Sequence, residues 1–270
     1  MAHSPSNDGN RTDAVAEGSG ATAAAREEVD GLRLSRRAWT TIVLAAAAAW
    51  CLALLVWAQH GLDETLVRQA AARDPHGLVM GLARVASKFG MAAIAAIHLA
   101  GIVASFSAGS WRRHRKVYLL TLMSLAVSGL AGDVLKDLID RPRPAVEYAE
   151  LRLPAGASTT DAFPSGHSTK SVALALPFLL FVTGWARWRG VARLSVAGLA
   201  LSVCASRVLL GAHFLSDVLG GVAMALSGLP LATLASNALL KRTGTSDMER
   251  AARIWAGVYA VLVFVLWKLS

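Results

Sequence analysis

The sequence is short of charge. Asp, Glu, Lys and Arg make up 17% of its 270 residues, against about 25% in soluble domains. With 54% hydrophobic residues and a mean hydropathy of +0.47, the chain leans toward the membrane. Cysteine is nearly absent. Cys51 and Cys204 each lie inside an apolar run and read as small buried hydrophobes. No CxxC or Cys/His spacing points to a metal. Aromatics reach only 7%. Yet there are eight tryptophans, several at the edges of apolar runs, such as Trp39, Trp57, Trp111, Trp185 and Trp188. That placement fits interfacial anchoring. Aromatic-basic interleaving and nucleic-acid motifs are also missing, so the net charge of +9 does not make this a nucleic-acid binder. The Lys and Arg fall between apolar spans instead, as membrane topology requires. The first span lacks a convincing cleavage site and is expected to be retained.

What is present is apolar length. A crossing helix needs roughly 20 mainly apolar residues. Seven runs are expected to cross: Ala38–Ala58, Gly90–Ser107, Val117–Leu135, Ser168–Gly184, Val191–Leu210, Phe214–Ala235 and the shorter Ile254–Leu269. The expected fold class is all-α: a polytopic bundle of six core transmembrane helices, an extra C-terminal span, and short amphipathic outer helices. Residues 1–34 are rich in Ala, Gly, Ser and acids without apolar periodicity, and are expected to form a disordered cytoplasmic tail. Residues 35–240 form the expected membrane domain, and 241–270 a cytoplasmic loop and the last span. Arg33, Arg36 and Arg37, the run Arg112-Arg113-His114-Arg115-Lys116, then Arg187, Arg189 and Arg193, then Lys241, Arg242, Arg250 and Arg253 all fall on one side if every span crosses. That side should be the cytoplasm. In residues 59–89, Leu62, Leu66 and Val67, then Leu78, Leu82, Val85 and Ala86, recur at helical spacing, and Asp63 and Asp74-Pro75 look like helix starts. One or two surface-lying amphipathic helices are expected there.

Three charged clusters then share the outer face. They are Lys136 with Arg143-Pro144, Pro164-Ser165-Gly166-His167, and Ser206-Arg207 with His213 and Asp217. Charge beside hydrocarbon costs at least a few kcal/mol per group at the bilayer centre, so it needs a reason. Phosphoryl transfer supplies one, because its catalysis is mostly positioning and electrostatic stabilisation. Lys136, Arg143 and Arg207 offer three cations, and an arginine fork grips two oxygens at once. Gly166 lets backbone approach an anion at a helix N-terminus, where Ser165 can cap and donate. His213 and Asp217 stand four apart; on one helix they share a face, and the carboxylate would fix the imidazole's tautomer. Each cluster has a plainer reading alone: a snorkelling lysine with ordinary loop charges at Arg141 and Arg143, an N-cap serine, an interfacial His–Asp pair. Together they specify about ten positions, each at roughly 5% background, which leaves little room for chance. The residues by themselves leave open which histidine attacks; the carboxylate in register favours His213.

The three clusters resemble the signature of the type 2 phosphatidic acid phosphatase superfamily, over about residues 38–240. The resemblance implies an integral-membrane, metal-independent phosphatase that needs no cofactor. His213 would form a phosphohistidine, Asp217 would orient it, and His167 would protonate the leaving group and then activate water. Lys136, Arg143, Ser165, Gly166 and Arg207 would hold the phosphoryl oxygens. The implied partners are the bilayer and a lipid phosphate or isoprenoid pyrophosphate such as undecaprenyl pyrophosphate, in a bacterial inner membrane with the site facing the periplasm. A lipid phosphotransferase using the same intermediate, a vanadate-dependent haloperoxidase, and a non-catalytic transporter or scaffold for anionic lipid are the alternatives. Among the remaining polar residues, Lys170 is placed to face a headgroup or the interface, Asp140 to pair with Arg141 or Arg143, and Asp161 and Glu147 near the pocket mouth. His60, His76, His98 and His114 have no partner at catalytic spacing and are expected to be structural.

Overall fold

Ser35 opens the first helix by accepting a bond from the Ala38 N–H at 3.1 Å, so a side chain satisfies one of the free donors of the first turn. The computed structural model describes residues 34–107, 115–154, 161–181 and 189–242, with Gly257 and Val261. Within them the chain is helical, with no strand. The elements are α1 Arg36–Gln59, α2 Gly61–Ala71, α3 Leu78–Ser107, α4 Arg115–Ile139, α5 Pro144–Glu147, α6 Gly166–Phe181, α7 Arg189–Leu209 and α8 Leu215–Arg242.

Among the described residues, five stretches are long and apolar enough to cross a bilayer: Arg36–Gln59, Leu78–Gly101, Val117–Glu147, Gly190–Leu209 and Leu215–Leu239. The expected crossing Ser168–Gly184 corresponds to α6, of which 16 residues are described. The expected tail, but for Leu34, and the Ile254–Leu269 span, but for the isolated Gly257 and Val261, lie outside the described residues.

Helix association within lipid lacks a hydrophobic drive, so close packing and small residues carry it. α8 packs against α1, α4 and α6, while α3 packs along α7. Ile94, Leu120, Leu174, Val196, Val203 and Leu229, all buried, form the shared core. Gly221 shows how tight the α6–α8 seam is. A Cβ there would lie 2.7 Å from the Ser165 carbonyl oxygen and 2.9 Å from Ser168 Cβ. His98 is buried in the same core, its Nδ1 2.8 Å from the Ile94 carbonyl oxygen and its ring edge-on to Phe178.

The outer segment differs from expectation in one respect. α2 forms where Leu62, Leu66 and Val67 recur, but the second repeat is the opening of α3, which runs unbroken from Leu78 rather than starting at Gly90. No proline interrupts Leu78–Gly90, and the apolar side chains Leu78, Val79, Leu82, Val85 and Phe89 stay exposed. A continuous membrane-length helix can present them to lipid. α2 does more than lie on a surface. Val67 and Ala70 bury against Leu153 and Phe214, with Ala145, Tyr148 and Leu151 around them. The outer helix is thereby docked over the loops that carry the charged clusters.

Candidate active site

Four helix ends meet. Lys136 lies in the last turn of α4 and Arg207 in the last turn of α7. His167 lies in the first turn of α6 and Asp217 in the first turn of α8. The helices alternate in direction, so these ends gather at one end of the bundle. Ser87 near the start of α3 meets Arg207, and Trp57 near the end of α1 meets Phe163. The described basic residues Arg36, Arg37, Arg189, Arg193, Lys241 and Arg242 occupy the other helix ends.

His213 sits in the turn between α7 and α8, and the site is built around it. α8 begins at Leu215, so His213 precedes the helix instead of sharing its face with Asp217, as the four-residue spacing had suggested. The pair still meets. His213 Nδ1 is 2.9 Å from the Ala162 carbonyl oxygen and 3.5 Å from Asp217 Oδ2. The carbonyl is therefore the closer partner of Nδ1. With the proton on Nδ1 donated there, Nε2 is the nitrogen left for chemistry. Asp217 is fully buried and acts mainly as a local brace: Oδ2 accepts from the Phe214 N–H at 2.9 Å, and Oδ1 accepts from Arg141 Nη1 at 2.7 Å. Burial pushes the His213 imidazole below its ordinary value of 6.5, and Arg207 and Arg143 push the same way, while Asp217 opposes them.

The cations surround this ring. Arg143 and Arg207 lie within electrostatic reach of both histidines. Each keeps its Nε buried without a hydrogen-bond partner among the described residues. Buried donors of that kind are normally satisfied, which fits arginines built to take an anion. Arg207 Nη1 donates to Ser87 Oγ at 2.5 Å, so α3 fixes the guanidinium's angle. A Cβ on Gly166 would lie 3.2 Å from Lys136 Nζ, so glycine lets the ammonium rest beside the α6 N-terminus. Ser165 is fully buried; its N–H donates to the Asp217 carbonyl at 2.9 Å, and its hydroxyl accepts from Ser168 at 3.2 Å. Its own hydroxyl proton is left to donate. Lys170 is half-buried and electrostatically close to Lys136 and His167. Asp161 is half-buried near Lys136, and Glu147 is exposed at the end of α5.

Two residues matter more than their sequence setting showed. Arg141, read as an ordinary loop charge or a partner of Asp140, is buried and paired elsewhere. Its Nη2 lies 3.2 Å from Asp63 Oδ2, and its Nη1 bonds Asp217 and Ser216 Oγ, both at 2.7 Å. Its guanidinium is sandwiched between Trp57 and Phe214, 4.6 and 4.2 Å from the ring centroids. Asp63, read as a helix start, is 2% exposed and points into this cluster from α2. The one sequence signal for Arg141 was its place in Arg141-Pro142-Arg143-Pro144. Asp63 gave none.

Membrane-length helices thus carry two histidines and several cations to one end of the bundle. A family model described as PAP2 superfamily matches residues 117–241. Phosphatidylglycerophosphatase B of Bacillus subtilis (strain 168) is 33% identical over 125 residues, covering 42% of this chain and 56% of that protein. A lipid A 1-phosphatase of Rhizobium johnstonii is 33% identical over 104 residues, covering 37% of this chain and 40% of the relative. This chain spans about half the length of the curated relatives it matches. The crystal structure of a transmembrane PAP2 type phosphatidylglycerolphosphate phosphatase from Bacillus subtilis superposes with TM-score 0.52 at 23% identity, over 76% of this chain and 98% of that one. That likeness supports the fold.

Proposed function

We propose that this chain is an integral-membrane phosphatase acting on a lipid phosphate or pyrophosphate through a phosphohistidine on His213. The observation that carries the reading is the gathering of His213, His167, Arg143 and Arg207 within electrostatic reach of one another at one bundle end. The curated relatives, named as lipid phosphatases, support it. The catalytic unit is residues 35–240, built from six crossing helices with a seventh following. The site faces the periplasm of a bacterial inner membrane and the N-terminus lies in the cytoplasm, as the basic helix ends opposite the site favour.

The chemistry follows from the geometry. Ala162 and Asp217 hold Nδ1, so the Nε2 lone pair attacks phosphorus. The P–O bond to the lipid breaks, and His167 gives its proton to the leaving oxygen. Arg207, Lys170 and Arg143 repel a proton on His167, and the negative charge of a bound phosphate offsets that repulsion and favours the imidazolium that donates. Water then attacks the phosphohistidine, passes its proton to His167, and breaks the P–N bond. Lys136, Arg143 and Arg207, with Ser165 and the Gly166 N–H, hold the non-bridging oxygens through both steps. This route assigns no step to a metal or cofactor.

The test is phosphate release from mixed micelles of phosphatidic acid, phosphatidylglycerol phosphate, lipid A phosphate and undecaprenyl pyrophosphate. Wild type should release phosphate from at least one. His213→Ala should lose the activity by on the order of 10⁴-fold or more. Full release by His213→Ala would sink the mechanism. Phosphate appearing on an acceptor lipid in place of water would make the enzyme a phosphotransferase.

A further inference from the structure

Arg141 braces His213 by two separate paths. Its side chain donates to Asp217, whose other oxygen faces His213 Nδ1. Its backbone carbonyl accepts from the Ala162 N–H at 2.9 Å, and the Ala162 carbonyl is the nearer partner of Nδ1. Both supports of the ring therefore run back to one residue. Asp63 completes the arrangement from α2. It accepts from Arg141 Nη2, from the Ser216 N–H at 3.1 Å, and from the Ser216 hydroxyl.

Arg141 touches none of the groups that would hold phosphate, and its charge is occupied by two carboxylates and two aromatic faces. A cation held this way does not serve as a ligand clamp. Nor is it simply a docking bolt for α2. The apolar contacts of Val67 and Ala70 with Leu153 and Phe214 already dock that helix. A buried ion pair adds little net stability where apolar packing would serve.

We infer that Asp63 and Arg141 are positioning residues for catalysis: together they fix Asp217 and the Ala162 carbonyl, and through them the orientation and charge of His213. The pair belongs to two elements far apart in sequence, so the outer helix is part of the catalytic apparatus. This rests on the reading of His213 as nucleophile.

The charge argument gives opposite signs for the two partners. His213 is faced by Asp217 from α8, Arg141 and Arg143 from the α4–α5 connection, Asp63 behind Arg141 from α2, Arg207 from α7, and His167 from α6. Removing the Arg141 charge leaves Asp217 less neutralised, which favours the His213 imidazolium. The acid limb of the pH–rate profile then moves to higher pH. Removing the Asp63 charge leaves Arg141 less shared and more positive toward Asp217. The acid limb then moves to lower pH.

The experiment measures kcat, KM, thermal stability and pH profile for wild type, Arg141→Gln, Arg141→Lys and Asp63→Asn on whichever lipid phosphate wild type cleaves best. Arg141→Gln and Asp63→Asn should lower kcat on the order of ten-fold with KM within about two-fold, a loss typical of partners that orient a reacting histidine. Their acid limbs should shift in opposite directions. Arg141→Lys keeps the charge without the fork and should fall between wild type and Arg141→Gln. Ser216→Ala removes only the hydroxyl bridging Arg141 and Asp63. It serves if the charge variants do not fold, and should lower kcat a few-fold at constant KM. Wild-type kcat and an unmoved limb in the folded variants would overturn the inference, leaving the pair a structural contact. Absence of phosphate release by wild type on every lipid would overturn the functional reading itself, a separate outcome.

Discussion

His213 is the residue on which the site's pH behaviour turns. Its proton affinity is depressed, first by burial and then by Arg207 and Arg143. As pH falls through about 6.5, the unfolded chain takes up a proton that the folded ring refuses. Stability is therefore full above 6.5 and declines as pH drops below it. Activity follows the folded value. The ring stays neutral below the ordinary histidine range, so under the proposed mechanism phosphoenzyme formation should persist at pH 6 and fail only at lower pH. Rapid-quench measurement of the phosphohistidine burst against pH tests this. A burst lost on a limb at or above 6.5 would show that the cations do not govern the ring. At this scale the sequence exposed Lys136, Arg143, His167, Arg207 and His213, which lie together at one bundle end, because charge beside hydrocarbon stands out. It hid their supports. Asp63 and Arg141 are 78 residues apart, and Asp63 looked like a helix-start acid because local spacing carries no trace of such a pairing. The role of Ala162 was invisible for a simpler reason: a backbone carbonyl has no signature.

At the scale of elements, helix register was legible wherever a period of 3.6 met hydrocarbon length. Boundaries were less so. The opening of α3 read as a separate surface helix because an amphipathic repeat and the start of a crossing helix look alike in sequence. The His213–Asp217 pair read as an intrahelical contact because spacing alone does not say where a helix begins. The α6–α8 seam is where element packing and chemistry join. α6 carries His167 and α8 carries Asp217, and Gly221 lets the two backbones approach. Gly221→Ala would put a Cβ 2.7 Å from the Ser165 carbonyl oxygen, a backbone atom that cannot swing away. Overpacking of this kind typically costs about 1–3 kcal/mol. It should also push Ser165 off the Asp217 carbonyl that its N–H now meets. The expected result is a lower unfolding temperature in detergent together with reduced kcat. Gly129→Ala, where a Cβ would meet nothing within 4 Å, provides the control and should leave both unchanged.

The whole molecule is polarised. Its acid–histidine–cation site occupies one end, and the described surplus of Arg and Lys on helix termini occupies the other. These two distributions are independent, because the site's charges are placed by chemistry and the others by topology. If the second set faces the cytoplasm, the first must face outward, since α1 alone carries the chain from Arg36 to the Trp57 edge of the site. The arrangement predicts labelling. In a background with Cys51→Ser and Cys204→Ser, an exposed cysteine at Glu150, in the loop over the site, should react with a membrane-impermeant maleimide in spheroplasts. One at Arg37, at the start of α1, should react only after permeabilisation. The reverse pattern would put the site in the cytoplasm and redirect the search for substrate to inner-leaflet lipids. A matching pattern restricts substrates to phosphates displayed on the outer leaflet. It would also explain why the outer helix bearing Asp63 sits over the site: the groups that hold His213 must be assembled on the side from which the phosphate arrives.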